Sequence, residues 1–181
     1  DIFSDTASGV CQGQQADMNF EKRDQVSLEE YIEMIRLKTA VLLAGSMQIG
    51  ALIGGAEKEQ ADLLYEFGEN LGLAFQLQDD ILDVYGDPEK FGKQVGGDIL
   101  ADKKTFLLIK ARELARGESA SELAKWLNKP DVLADNKVNA ITSIYNSLGV
   151  RKLAEAEMEN YVRKALNALD KIIVENSRKE L

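Results

Sequence analysis

Histidine is absent from this chain of 181 residues, and cysteine occurs only at Cys11. Without histidine the chain cannot form a Ser-His-Asp or Cys-His catalytic arrangement, a histidine-ligated zinc site or the Glu-x-x-His motif of di-iron helix bundles. A lone cysteine cannot form an intrachain disulfide, and we therefore expect a reducing, cytoplasmic location.

Basic charge and proline are also scarce. The net charge is −9 and no basic run interrupts it, which argues against nucleic acid as a partner. An anionic substrate would have to be held locally, by metal ions and a few lysines. Only two prolines occur, hydrophobic residues make up 45% of the chain, and strand-like alternation is missing. We therefore expect residues 1–181 to form a single all-α domain.

Helix starts and ends are marked at several places. Ser27 followed by Glu30 predicts a capping box at the start of a helix that runs to about Gly54. The sequence Gly86-Asp87-Pro88 would end a helix that begins at Glu57. The remaining helices are expected at 4–20, 102–116, 119–127, 132–148 and 151–177.

The stretch 39–56 contains no charged residue, a feature that can indicate a transmembrane helix. Its glycines and polar side chains instead favour a central helix of a soluble bundle. Lys38 stands at its start, and it could mark the mouth of a groove for an amphiphile with an anionic head or be the solvated end of a core helix. The apolar strip beyond it consists of Leu42, Gly45, Ile49 and Ile53.

The stretch 71–85 carries its polar side chains in an unusual arrangement. A helical rotation of about 100° per residue places them in an arc roughly 100° wide, and the other faces are apolar, so we expect the helix to be buried nearly all round. Buried carboxylates would repel one another unless a divalent cation shared them, so the arrangement indicates a metal site. The alternative is an acidic helix edge that is exposed to solvent, where such repulsion costs little. Oxygen ligands favour Mg²⁺, or Mn²⁺. The arc contains Gln76, Asp79, Asp80 and Asp83.

Glycines and lysines follow this stretch, between Gly86 and Lys103. Their spacing is not that of a Walker loop. We expect Asp102 to cap the next helix, which would place Lys103 at a helix N-terminus, where phosphate is favoured. Aspartates for a cation, lysines for phosphate and an apolar cavity together describe a site for a metal-bound diphosphate on a hydrocarbon chain.

Several segments together resemble a trans-isoprenyl diphosphate synthase, or polyprenyl synthetase, of the farnesyl/geranylgeranyl type. The matching segments are Gly13-Gln14-Gln15-Ala16-Asp17, residues 31–40 from Tyr31 to Ala40, Phe75-Gln76-Leu77-Gln78-Asp79-Asp80-Ile81-Leu82-Asp83, and Gly92-Lys93 through Gly97-Asp98 to Lys103 and Thr105. The aspartate-rich segment with its trailing Gly-Lys is the most specific of them. The resemblance implies an isoprenoid-synthase-type helical bundle around a central cavity.

The resemblance also implies a role for each matching residue. Asp79 would ligate Mg²⁺, and Asp80 and Asp83 would ligate it or hold its water. Lys38, Asp79 and Asp80 would act in the reaction itself, and Phe75 would flank isopentenyl diphosphate. The residues that would contact the allylic diphosphate or lie beside it are Lys38, Thr39, Gln76, Lys93 and Lys103.

The reaction implied by the resemblance is condensation of an allylic prenyl diphosphate with isopentenyl diphosphate. Magnesium would assist ionisation of the allylic diphosphate, and the cation would alkylate the isopentenyl double bond. A class I terpene cyclase and a non-catalytic helical subunit of a heteromeric synthase are the alternatives. The family usually forms homodimers, which we expect here too.

One departure from the family pattern is large. The family carries a first Asp-Asp-x-x-Asp motif and an Arg-Arg pair upstream of the Gly-Gln-Gln segment, and this chain has neither. The chain therefore resembles only the C-terminal portion of a synthase, and we expect the isolated 181 residues to have negligible activity and an exposed apolar face. If the Leu42–Ile53 strip lines the product tunnel, Gly45→Phe would shorten the product.

Overall fold

The computed structural model describes residues 1–87, 95–127 and 133–173. Within these ranges the chain contains helices and no strand, which confirms the all-α prediction. The elements in chain order are α1 (Ile2–Phe20), α2 (Leu28–Ile35), a π-helical turn (Arg36–Ala40), α3 (Val41–Ile53), α4 (Lys58–Tyr85), α5 (Gly97–Leu100), α6 (Phe106–Leu114), α7 (Glu118–Leu127), α8 (Ala134–Leu148) and α9 (Val150–Asp170).

Helix α4 is the central element of the bundle. It packs along α3 and α9 and also contacts α2, α5 and α6. Apolar side chains that recur at helical spacing on α4, namely Leu73, Leu77, Ile81 and Val84, are buried in the core. The prediction that residues 71–85 are buried nearly all round is wrong on one side, because Phe75 is 60% exposed.

The capping box at Ser27 is confirmed. The backbone N–H of Glu30 donates to Ser27 Oγ at 3.2 Å, and the backbone N–H of Ser27 donates to Glu30 Oε2 at 2.9 Å. The predicted cap at Asp102 is wrong, since α6 begins at Phe106 and its cap is Thr105, whose hydroxyl accepts from Leu108 N–H. Lys103 therefore lies before the helix and not in its first turn.

The helix predicted to run unbroken from Ser27 to about Gly54 contains the π-helical turn Arg36–Ala40. Such turns are frequent at functional sites, and this one carries Lys38 and Thr39. The turn is enclosed by close backbone contacts on two sides. A Cβ on Gly13 of α1 would lie 2.3 Å from the backbone nitrogen of Lys38, and a Cβ on Gly72 of α4 would lie 2.6 Å from Ala40 Cα. Only glycine permits these approaches, which position the backbone of Lys38.

Gly45 faces α1 and not an open tunnel. A Cβ at this position would lie 2.3 Å from Thr6 Oγ1, so bulk there would displace α1. The expectation that Gly45 lines an open tunnel is therefore wrong, because Gly45→Phe would press against α1. The sequence showed a glycine notch in an apolar strip but not the helix that fills it.

Apolar side chains are exposed on α3 and α4, as expected. Leu42 is 55% exposed and Ile53 is 83% exposed, and Phe75 adds to them. Among the residues that the structure describes, no helix is long and apolar enough to cross a membrane.

The close contact at Gly13 predicts that a methyl group there destabilises the protein, and Gly50, which has free space around it, serves as the control. Gly13→Ala should lower the free energy of unfolding by about 1–3 kcal/mol, because the new methyl group meets rigid backbone. Gly50→Ala should raise it by about 0.5–1 kcal/mol, because that glycine lies within α3 with no atom near its Cβ position. Urea unfolding followed by circular dichroism tests both, and equal effects would contradict the packing described here.

Candidate active site

A cleft of about 490 Å³ opens between α1, the π-helical turn, α4 and the segment that precedes α6. The structure brings several of the predicted site residues together in its wall. These are Lys38, Gln76, Asp79, Asp80 and Lys103, and Asp17 joins them. The residues come from separate parts of the chain, so their convergence is a property of the fold.

Lys38 is held at the cleft by an ion pair with Asp17 of α1. The Lys38 ammonium lies 2.6 Å from Asp17 Oδ2, and the two side chains are 34% and 18% exposed. Next to it, the Thr39 hydroxyl donates to Gln76 Oε1 at 3.2 Å. Lys38 and Thr39 are thereby linked to α1 and α4, respectively.

Asp80 is buried, with 3% of its surface exposed, and its carboxylate accepts hydrogen bonds from three directions. The Tyr31 hydroxyl donates to Oδ2 at 2.5 Å, the Phe106 N–H donates to Oδ2 at 3.3 Å, and Gln76 Nε2 donates to Oδ1 at 3.4 Å. Burial raises the pKa of Asp80 to about 7, against the lowering effect of the Tyr31 hydrogen bond. Burial and the Asp80 carboxylate together raise the pKa of Tyr31 well above its usual value.

The two neighbouring aspartates have different surroundings. Asp83 is half-buried, its Oδ2 accepts from the backbone N–H of Asp98 at 2.9 Å, and burial raises its pKa. Asp79 is exposed in the cleft, and no described residue donates a hydrogen bond to its carboxylate. The acidic stretch thus supplies one buried, one half-buried and one exposed carboxylate.

Lys103 approaches the same cleft from the segment before α6. Its ammonium lies 3.3 Å from Asp98 Oδ1, and its side chain is 42% exposed. Burial alone would lower the pKa of Lys103, but the carboxylates of Asp98, Asp80 and Asp17 raise it above its usual value. Lys103 therefore remains a cation close to the aspartates.

Among the described residues, three of the predicted site residues do not line this cleft, namely Thr39, Phe75 and Asp83. Phe75 is largely exposed and does not line it. Lys93 lies outside the described residues.

Comparison with known proteins identifies the family. The polyprenyl synthetase family model matches residues 1–147. The chain is 37% identical over 180 residues to the short chain isoprenyl diphosphate synthase of Methanothermobacter thermautotrophicus, covering 99% of this chain and 54% of that protein. It is 36% identical over 174 residues to the geranylgeranyl diphosphate synthase of Sulfolobus acidocaldarius, covering 95% and 52%. The chain belongs to the polyprenyl synthetase family.

Solved structures agree on the fold. A crystal structure of a geranylgeranyl pyrophosphate synthase matches this polyprenyl synthetase chain with a TM-score of 0.91 and 42% identity, covering 99% of this chain and 56% of that one. The predicted helical-bundle class is confirmed. The chain spans about half the length of the curated relatives it matches.

Whether the cleft suits Mg²⁺ depends on its oxygen atoms. Within residues 1–87, 95–127 and 133–173, no group of three acidic, histidine or cysteine side chains could hold a metal ion by itself. Asp79 is nevertheless open to the cleft, and the one hydrogen bond that a described residue donates to Asp80 Oδ1 is the 3.4 Å contact from Gln76. Mg²⁺ is commonly bound by one or two carboxylates together with waters and phosphate oxygens. The residues fit an ion shared with a phosphate ligand better than an all-protein cage.

The sequence alone did not assign roles to three residues of this polyprenyl synthetase chain that contact the predicted site residues, namely Tyr31, Asp17 and Asp98. Tyr31 and Asp17 lie in segments that carried the resemblance, but no pattern indicated that Tyr31 donates to Asp80 or that Asp17 pairs with Lys38. Asp98 is the second residue of α5, and its contacts with Asp83 and Lys103 depend on how α5 packs against α4. Asp98 and Lys103 are close in the chain, but the other pairings join residues 15 to 49 positions apart, so local spacing could not show them.

Removing the Tyr31 hydroxyl should destabilise the protein. Tyr31→Phe deprives a buried carboxylate of its shortest hydrogen bond, and we expect the free energy of unfolding to fall by about 1–3 kcal/mol. Tyr65→Phe, at a half-buried tyrosine on α4, should change it by less than about 0.5 kcal/mol. Chemical denaturation in EDTA measures both variants. Equal stability of Tyr31→Phe and the wild type would show that the contact contributes nothing.

Proposed function

We propose that the protein containing this chain condenses an allylic prenyl diphosphate with isopentenyl diphosphate, and that this chain supplies the part of the site that holds the allylic diphosphate. The observation that supports the proposal best is the convergence of Lys38 and Lys103 with Asp79 and Asp80 in one cleft of a polyprenyl synthetase fold. Relatives named as geranylgeranyl and farnesyl diphosphate synthases add weight to it.

The aspartates are proposed to hold the metal. Asp79 would ligate Mg²⁺ directly, and Asp80 would reach it through Oδ1 or through water, with Asp83 as a further water-holding residue. When bound, Mg²⁺ supplies Lewis-acid assistance to departure of the diphosphate. The Tyr31 and Phe106 donors keep Asp80 Oδ2 engaged, so they orient the carboxylate with Oδ1 as its less occupied oxygen.

The lysines are proposed to stabilise the charge that develops on the leaving group. Lys38 and Lys103 are held by Asp17 and Asp98 before a ligand arrives, and positively charged groups fixed in advance stabilise developing negative charge without reorganisation. Thr39 and Gln76 lie beside Lys38 and would orient the same diphosphate. The roles of Lys93 and Phe75, a homodimeric assembly and a cytoplasmic location belong to the same proposal and rest on the resemblance.

A chimera tests the function directly. In it this chain replaces the matching part of the Methanothermobacter relative, and geranyl diphosphate, isopentenyl diphosphate and Mg²⁺ are supplied. We expect chain elongation, and we expect Asp79→Asn to lower kcat about 100-fold or more, because a ligand of the charge-stabilising metal is lost. Glu66→Gln changes an exposed carboxylate on the same helix and should leave the rate and the helical content unchanged.

The outcomes separate the competing functions. A folded chimera that consumes geranyl diphosphate without isopentenyl diphosphate and releases a cyclic product would favour a terpene cyclase. Wild-type turnover by Asp79→Asn would favour a structural role for this chain and contradict the site proposed here. The isolated chain itself is expected to show negligible turnover.

A further inference from the structure

The segment Gly96–Thr105 contains α5, leads into α6 and carries Lys103. Its beginning is attached to α4, because Gly96 N–H donates to the Asp83 carbonyl at 2.6 Å and Asp98 N–H donates to the Asp83 carboxylate at 2.9 Å. Within the segment, Lys103 N–H donates to the Asp98 carbonyl at 3.0 Å. The direction of the Lys103 side chain therefore depends on the backbone conformation of this segment.

Asp102, immediately before Lys103, has an unusual backbone conformation. Its φ is +49°, and it is the non-glycine residue with positive φ among those the structure describes. L-amino acids other than glycine rarely adopt this region, and aspartate does so more readily than most. Such a conformation persists when surrounding contacts hold it in place.

Lys137 of α8 provides that contact. Lys137 is only 8% exposed, and its ammonium lies 2.7 Å from Asp102 Oδ1. A lysine is almost never buried without a partner, because desolvation of the ammonium is unfavourable. The pair therefore ties Asp102 to α8, and Lys137 does not itself line the cleft.

A second contact from α8 supports the same segment. Val138, the next residue on the helix, lies so close to Gly96 that a Cβ there would be 2.6 Å from Val138 Cγ2. Adjacent residues of α8 thus contact the segment near its beginning and near Lys103. Helix α8 acts as a support behind this wall of the cleft.

We propose that Lys137 is a positioning residue for diphosphate binding. It holds Asp102 at positive φ through the ion pair, and this backbone conformation directs Lys103 into the cleft beside Asp79 and Asp80. The inference rests on the proposed function, because it requires that Lys103 contact the diphosphate. Lys137 acts through Asp102 and makes no contact with the ligand.

The test measures the binding of inorganic pyrophosphate to this chain by calorimetry, in the presence of Mg²⁺. Lys137→Met should weaken binding about tenfold, as is typical when a group that orients a ligand-binding side chain is removed. Lys110→Met is the matched control: Lys110 is half-buried and pairs with Glu113 at 2.7 Å on α6, and its loss should not change the affinity. Thermal unfolding and circular dichroism of each variant report on the fold separately.

A pair of double variants isolates the backbone effect. Lys137→Met with Asp102→Gly should bind almost as tightly as the wild type, because glycine adopts positive φ without a supporting ion pair. Lys137→Met with Asp102→Ala should remain about tenfold weaker, because alanine disfavours that conformation. If Lys137→Met alone does not fold, the comparison between these two variants decides the question.

The Lys103→Met variant separates this inference from the proposed function. If wild-type chain does not bind pyrophosphate, or if Lys103→Met binds it as tightly as the wild type, the proposed function fails. If Lys103→Met weakens binding and Lys137→Met does not, the positioning role of Lys137 is overturned. Equal affinities of the glycine and alanine double variants would overturn it as well.

Discussion

The carboxylate of Asp80 is buried among α2, α4 and α6, and the protein has to satisfy it with hydrogen bonds. An unpaired charge in such a place would cost several kcal/mol. Tyr31 and the Phe106 N–H meet this requirement at Oδ2, and in doing so they fix α2 and the start of α6 against α4. These hydrogen bonds explain how an acidic side chain can be buried beside the apolar core.

The charged residues around the cleft divide into those that form structural contacts and those that face the cleft. Asp17 and Asp98 hold the two lysines, and Asp83 anchors the backbone of the segment that follows α4. Asp79 faces the cleft without such an engagement among the described residues. A net negative chain thereby presents cations at one place, since each lysine is paired on one side and open to the cleft on the other.

Much of the fold could be predicted from local patterns. The capping box at Ser27, the long helix that ends at Tyr85 and the all-α class follow from residue types and spacing, which act over a few residues. Other features could not be predicted in this way. The π-helical turn depends on helices that pack against both sides of it, and the positive φ of Asp102 before α6 accompanies an ion pair with Lys137 of α8.

The sequence by itself determined the helical class, the family resemblance and the set of residues that carry charge near the predicted site. Those properties depend on side-chain chemistry and short-range spacing. Tertiary structure decided which of these residues meet: it brought Lys38 and Lys103 to one cleft, paired Tyr31 with Asp80, and placed Gly45 against α1. The physical reason is that burial and ion pairing join residues distant in the chain, and the free energy of those contacts depends on the packed neighbours and not on sequence separation.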